Sequence, residues 1–328
     1  MQHMTAERDF IPMVCNFGTG VKSNHLFVHS FCFHTEIMNQ IHSVRSLRML
    51  IKNQLGGYYA TRELDNMADL LLEEYVGQPR VSLYLEADRP VTEEVFIRVR
   101  SAVSRLKKHE PVQYVLGKAH FCDMVFQVNE HVLIPRQETE ELVSWIAEDQ
   151  SRRGTFDALP GILDLGTGSG CIAITLKKKI PDALVTAVDI SMEALVVARI
   201  NADQLGADVL FLQVDMLDPA RWEALGGFDI IVSNPPYVMP PDRVRMNANV
   251  LGHEPALALY VGADQPLIFY EAIAACSSKH LQPGGMIYLE INEQMGRSVC
   301  ELFRHAGFSR TELRQDIHGK DRIVRISR

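Results

Sequence analysis

The chain has 328 residues, 47% of them hydrophobic and 23% charged, enough for one large α/β domain and a smaller companion. A net charge of −8 excludes bulk electrostatic attraction as the driver of binding to nucleic acid or an anionic membrane. The six cysteines are scattered without a Cys-x-x-Cys pair, which argues for a reducing compartment and against structural zinc.

No apolar run approaches the ~18 residues of a membrane span, and Met1 to Phe10, with Glu7, Arg8 and Asp9, does not resemble a secretory signal. The expectation is a cytoplasmic protein with no membrane partner. Residues 1–37 read as an N-terminal extension that is poorly ordered, or as sequence upstream of a start at Met38. His25, His29, Cys32 and His34 lack a second cluster or an acidic partner at useful spacing, so no metal site is expected.

Residues 38–110 read as a small helical domain. Leu64, Met67, Ala68, Leu71, Leu72 and Tyr75 recur at three- and four-residue steps behind a Thr61 cap, and Gly77 and Pro79 end the helix. A second helix opens at Thr92, with Glu93 and Glu94 in the first turn where the helix dipole favours anions. Val95, Val99, Ala102, Val103 and Leu106 form its apolar stripe. These stripes are core positions first and a docking surface second.

Residues 111–138 change to β-type patterning, with turns at Gly117 and near Asp123, and read as a β-hairpin linker. From 139 to 328 the pattern alternates. A helix is expected over 140–149 and a loop at 151–155. Strands follow at 162–165, 184–188, 209–214, 230–232 and 286–289, with helices at 171–179, 191–205, 267–280 and 295–306. Two closing strands near 311–313 and 323–326 sit close enough for an antiparallel hairpin. Such alternation specifies a largely parallel sheet covered on both faces.

Asp164-Leu-Gly166-Thr167-Gly168-Ser169-Gly170 lies between the first strand of this region and its helix. Glycines at alternate positions let the backbone turn sharply and approach a ligand without Cβ clashes. Asp189 ends the next strand nineteen positions after Gly170, where a carboxylate suits two ribose hydroxyls. Ser191 is the better helix cap, which leaves Asp189 for a ligand. Asp215 and Met216 end the third strand, where an adenine edge would lie. An adenosine-containing cofactor is implied.

After the buried run Ile230-Ile231-Val232 come Ser233 and Asn234-Pro235-Pro236-Tyr237. The prolines stiffen the turn and remove two donors. Asn234 Oδ1 and the Pro235 carbonyl can each accept one N–H of a planar –NH2 group while Tyr237 stacks on its plane. A carboxamide nitrogen is a poor nucleophile, and two such acceptors would orient its lone pair and stabilise charge developing on nitrogen. Loop and turn together point to nitrogen methylation with S-adenosylmethionine. Asn234, Pro235 and Tyr237 are the catalytic candidates, Pro236 joins them against substrate, and Asn234 also faces the cofactor.

Several stretches in order resemble the HemK-type N5-glutamine methyltransferases, most closely their peptide chain release factor glutamine methyltransferase branch. They are Glu110 to Gly117, Leu133-Ile-Pro-Arg-Gln-Glu-Thr139, Asp164 to Gly170, Asn234 to Tyr237, Glu254 to Ala258, Glu290 to Gln294 and Asp316 to Arg322. The resemblance implies a Rossmann-like class I S-adenosylmethionine-dependent methyltransferase domain over 139–328, with the helical domain at 38–110 helping to dock substrate. It implies S-adenosylmethionine at Gly166 to Gly170, Asp189, Met216 and Asn234. The implied substrate is the Gly-Gly-Gln glutamine of a class 1 release factor, held by Asn234 to Tyr237. Three readings stand beside it: a sister enzyme acting on a ribosomal protein, an adenine N6 DNA methyltransferase, and a non-catalytic S-adenosylmethionine-binding scaffold. The acidic balance and the missing recognition domain disfavour DNA, and the intact amide-reading turn disfavours a scaffold.

Overall fold

The computed structural model describes residues 43–153, 159–241 and 248–328. The expectations for residues 1–37, including the histidines and Cys32, lie outside these, as do positions 154 and 155 of the expected 151–155 loop; positions 151–153 are helical instead, closing the Gln137–Arg153 helix.

The first described elements are helices Val44–Leu55, Thr61–Val76, Arg80–Leu85 and Glu93–Leu106. Ser43 opens the first with a reciprocal cap on Ser46. Thr92 caps the fourth by accepting from the Val95 amide at 3.3 Å. Thr61 does not cap its helix: it is the first helical residue, behind an extended Ala60 that makes no side-chain cap bond. Leu64, Met67, Ala68, Leu71 and Leu72 are buried with Leu47, Ile51, Val99, Ala102 and Leu106 in one cluster. In the Glu93–Leu106 helix it is Phe96, not Val95, that is fully buried. Each large apolar side chain removed from water in this way contributes about 1.5–3 kcal/mol.

The 111–138 stretch holds a hairpin only at its centre. Val112–Leu116 is a short helix, and strands β1 (Lys118–Phe121) and β2 (Met124–Gln127) pair antiparallel. Cys122 and Asp123 form the turn with positive φ. The following helix spans Gln137–Arg153, longer at both ends than the expected 140–149.

Seven strands then form one sheet in the order β5-β4-β3-β6-β7-β9-β8. They are β3 (Gly161–Leu165), β4 (Leu184–Asp189), β5 (Val209–Gln213), β6 (Phe228–Ser233), β7 (Leu281–Glu290), β8 (Arg310–Gln315) and β9 (Asp321–Ser327). The first five run parallel, and β9 pairs antiparallel with β7 and β8. Helices Cys171–Lys179, Met192–Leu205, Ile268–His280 and Gly296–His305 cover the sheet. One core cluster holds Leu142, Ile162, Ile174, Leu195 and Tyr288; the other holds Leu163, Ile231, Tyr270, Ile287 and Phe303. Successive β3 residues thus enter opposite cores, as a strand's period of two requires.

Register is what assembles the site. Leu165 lies opposite Val188 on one side and Ser233 on the other, and Ser233 lies opposite Leu289. The next residues along these strands, Gly166, Asp189, Asn234 and Glu290, therefore emerge together at one edge. The chain steps from β3 outward through β4 and β5, then returns to place β6 on β3's other side. That is the switch point at which open α/β sheets bind ligands.

Candidate active site

A cavity of about 400 Å³ opens at this edge, within the ~300–1,000 Å³ of small-molecule sites. Its floor is Gly166, Thr167, Gly168 and Ser169; Asp189, Asp215, Met216 and Asn234 also line it. Gly166 and Gly168 have φ of 77° and 54°. A Cβ on Gly166 would come within 3.2 Å of Met216 Cε. The loop can therefore be shallow and accessible only with glycine there.

Two sequence-selected residues lie behind the cavity rather than on it. Asp164 is wholly buried, and its Oδ2 accepts from the Thr167 hydroxyl at 2.6 Å. Burial pushes its carboxyl up to about 7, against the lowering effect of that hydrogen bond. Gly170 packs against Ile174 and Ala198 beneath the loop. Both shape the cradle without reaching its surface.

Asp189 is not left free of the protein. Its Oδ2 accepts from the Gly168 amide at 2.8 Å and its Oδ1 from the Ser191 amide at 2.9 Å. Ser191 caps its helix through Ala194, as expected. The carboxylate thus fixes the glycine loop and still borders the cavity with further lone pairs to offer. Burial raises its pKa, and the backbone N–H donors oppose that rise. Asp215 and Met216 lie two and three residues past the end of β5, and Asp215 Oδ1 accepts from the Leu217 amide at 2.8 Å.

Asn234 and Pro236 line the cavity, whereas Pro235 and Tyr237 do not. Tyr237 instead donates its hydroxyl to Glu290 Oε1 at 2.8 Å, and burial with the neighbouring carboxylate raises its pKa far above the phenol range. Asn234 donates Nδ2 to Thr139 Oγ1 at 3.2 Å, and Thr139 donates to Glu290 Oε2 at 2.6 Å. Asn201 supports the same edge: it donates to the Ser169 and Gln127 carbonyls and accepts from the Gln127 amide. The hairpin and the glycine loop are thereby tied to one helix.

Sequence reading alone does not single out Thr139, Asn201 or Glu290. Thr139 and Glu290 lie inside quoted motifs, but their pairing spans 151 positions and exists only once the Gln137–Arg153 helix packs on β7. Leu257 lies in the Glu254 to Ala258 stretch without being singled out there, and Phe269, also on the cavity wall, carries no local signal.

A glycine cradle after the first strand, an acid ending the second and a parallel sheet closed by an antiparallel strand define a class I S-adenosylmethionine-dependent methyltransferase. The sequence model of the Methyltransferase small domain matches residues 151–251, and that of the PrmC N-terminal domain matches residues 51–117. The Release factor glutamine methyltransferase of Flavobacterium psychrophilum is 38% identical over 287 residues, covering 85% of this chain and 99% of that protein. Its namesake in Bacteroides thetaiotaomicron is 39% identical over 280 residues, covering 85% and 98%. The chain belongs to the release factor glutamine methyltransferase family.

The cavity suits S-adenosylmethionine on its own chemistry. Three cavity-lining features match three parts of that molecule: the Cβ-free loop for close backbone approach, the Asp189 carboxylate for hydroxyls, and the apolar Met216, Leu217 and Phe269 for a flat base. Among the described residues, no helix is long and apolar enough to cross a membrane.

Proposed function

We propose that this chain methylates the side-chain nitrogen of the glutamine in the Gly-Gly-Gln motif of class 1 release factors, using S-adenosylmethionine. The observation that carries the reading is the placement of Asn234 at the cavity edge with its Nδ2 committed to Thr139. Its Oδ1 is then the atom presented to an incoming amide. Bound S-adenosylmethionine supplies a sulfonium methyl group that is a strong electrophile. Asn234 Oδ1 and the Pro235 carbonyl each accept one N–H of the substrate carboxamide, aiming the nitrogen lone pair along the transfer line. The same two acceptors stabilise positive charge as the new N–C bond forms. The amide proton then leaves the nitrogen for water. Tyr237, its hydroxyl fixed on Glu290, offers a ring rather than a mobile hydroxyl to this turn. Residues Asp189, Asp215 and Met216 hold the nucleoside end.

The expected location is the cytoplasm, where release factors work; the four described cysteines, all unpaired, support a reducing compartment.

Incubation with S-adenosylmethionine and a class 1 release factor, followed by peptide mass mapping, tests the reading. One added methyl on the Gly-Gly-Gln glutamine is expected. Asn234→Ala should lower kcat by roughly 10²–10³-fold, the scale of losing one oriented partner of a developing charge. Transfer to a ribosomal protein or to DNA, with none to the factor, would replace the substrate assignment.

A further inference from the structure

The orientation of the Asn234 amide is decided by two residues that do not belong to its turn. Thr139 comes from the first turn of the Gln137–Arg153 helix and Glu290 from the last residue of β7. They are 3% and 1% exposed. Glu290 accepts from two hydroxyls, Thr139 on Oε2 and Tyr237 on Oε1, so both of its oxygens are engaged. A hydroxyl carries one proton. Thr139 gives its proton to the carboxylate and can only accept from Asn234. The Asn234 –NH2 must therefore face Thr139, and Oδ1 must face away from it. An asparagine with no such relay can turn its amide over with almost no change of shape.

We propose that Thr139 and Glu290 are positioning residues that fix the hydrogen-bond polarity of the amide-reading turn and so make it select a glutamine carboxamide over a glutamate carboxylate. The inference rests on the methylation reading above. With Oδ1 outward, the turn presents Oδ1 to the cavity as an acceptor, and the methylation reading adds the neighbouring Pro235 carbonyl as a second. A carboxamide satisfies both with its two N–H groups, whereas a carboxylate has only acceptors to set against them. With the amide reversed, the turn presents a donor beside an acceptor, which loses one substrate hydrogen bond and gains one for a carboxylate. Sites that read a polar group by matched partners discriminate far more strongly than sites that read shape.

The test compares wild type with Thr139→Val, Thr139→Ser and Glu290→Leu. Each is assayed with a class 1 release factor and with the same factor carrying Gln→Glu in its Gly-Gly-Gln motif as competitor. Thr139→Val, which keeps the shape and loses the hydroxyl, should lower kcat by roughly 10²-fold. It should also tighten the glutamate factor's inhibition constant by about 10-fold or more relative to the glutamine factor's KM, with S-adenosylmethionine affinity by calorimetry within a few-fold of wild type. Thr139→Ser should restore both values. Glu290→Leu should show the same loss of discrimination, because Thr139 then has no carboxylate to donate to and can turn its proton toward Asn234 Oδ1. Unchanged discrimination in Thr139→Val overturns the proposal. If that variant fails to fold or to bind S-adenosylmethionine, Glu290→Leu decides: wild-type discrimination there overturns the proposal, and lost discrimination supports it. A wild-type enzyme that leaves the factor unmethylated overturns the methylation reading itself, and the inference falls with it.

Discussion

Glu290 and Asp164 are both wholly buried acids, yet their protonation has opposite consequences for the molecule. Burial lifts Glu290 above the ordinary carboxylate range, while the Thr139 and Tyr237 hydroxyls and the Arg322 guanidinium on β9 draw it back and Glu138 pushes it further up. The Tyr270 hydroxyl donates to its backbone carbonyl rather than its carboxyl. Only the anion accepts from both hydroxyls, so methyl transfer should fall as pH drops through this raised value. A kcat–pH profile should show an acid limb that flattens in Glu290→Gln, at a lower plateau. For Asp164 the folded-state value near 7 exceeds the unfolded value of about 3.9. The native state therefore binds the proton more tightly. The penalty is absent below about pH 4, grows as pH rises, and is complete above about pH 7. Asp164→Asn keeps an acceptor for Thr167 and carries no charge. Urea unfolding should find it more stable than wild type at pH 8, by at most about 4 kcal/mol, and no more stable at pH 4. Equal pH slopes for the two proteins would show that Asp164 is ionised at no cost.

At the scale of elements, the glycine loop and the helix behind it form one packed joint. Gly170 has φ of 80°, and a Cβ there would lie 2.9 Å from Ile174 Cδ1 and 3.2 Å from Ala198 Cβ. Gly206, which ends the Met192–Leu205 helix with φ of 60°, has nothing within 4 Å of such a Cβ. Gly206→Ala should cost only the backbone term, about 1–2 kcal/mol. Gly170→Ala adds overpacking and should cost roughly 2–4 kcal/mol, with weaker S-adenosylmethionine binding. Chemical denaturation of the two variants separates strain from packing.

This loop, the Asn234 turn and the alternation of strands and helices were legible because each is a local signal. Long apolar runs and glycine spacing do not depend on distant contacts. Val112–Leu116 is helical where its sequence suggests extended chain, because Val-Gln-Tyr-Val-Leu is rich in β-formers and too short to show a 3.6-residue period. Arg80–Leu85, at six residues, is likewise too short to show a helical period in its sequence. The pairing of Thr139 with Glu290 is beyond any local reading, since it is set by the packing of the Gln137–Arg153 helix on β7.

At the scale of the whole molecule, side-chain contacts tie the helical region to the segments that follow it. His253 Nε2 meets the Lys108 carbonyl at 2.9 Å, and Lys118 pairs with Glu74. Next to His253, Glu254 is buried, accepting from the Ile134 amide at 3.3 Å and pairing with Arg136. Leu133, Pro135 and Arg136 line one side of the cavity and Pro255, Leu257 and Ala258 another. Glu254 is therefore the clasp between two walls as well as between two parts of the chain. Glu254→Ala leaves the buried Ile134 N–H without an acceptor and Arg136 without its carboxylate. It should cost roughly 2–4 kcal/mol and lower S-adenosylmethionine affinity with it. Glu254→Gln, which keeps one acceptor, should lose less of both. Glu74→Ala breaks the partly exposed Lys118 pair instead and should cost under about 1 kcal/mol, leaving the cofactor affinity at its wild-type value. Denaturation with and without S-adenosylmethionine reads both quantities in one experiment. If Glu254→Ala destabilises the fold but binds the cofactor as tightly as wild type, the two walls are held independently and Glu254 serves the fold alone.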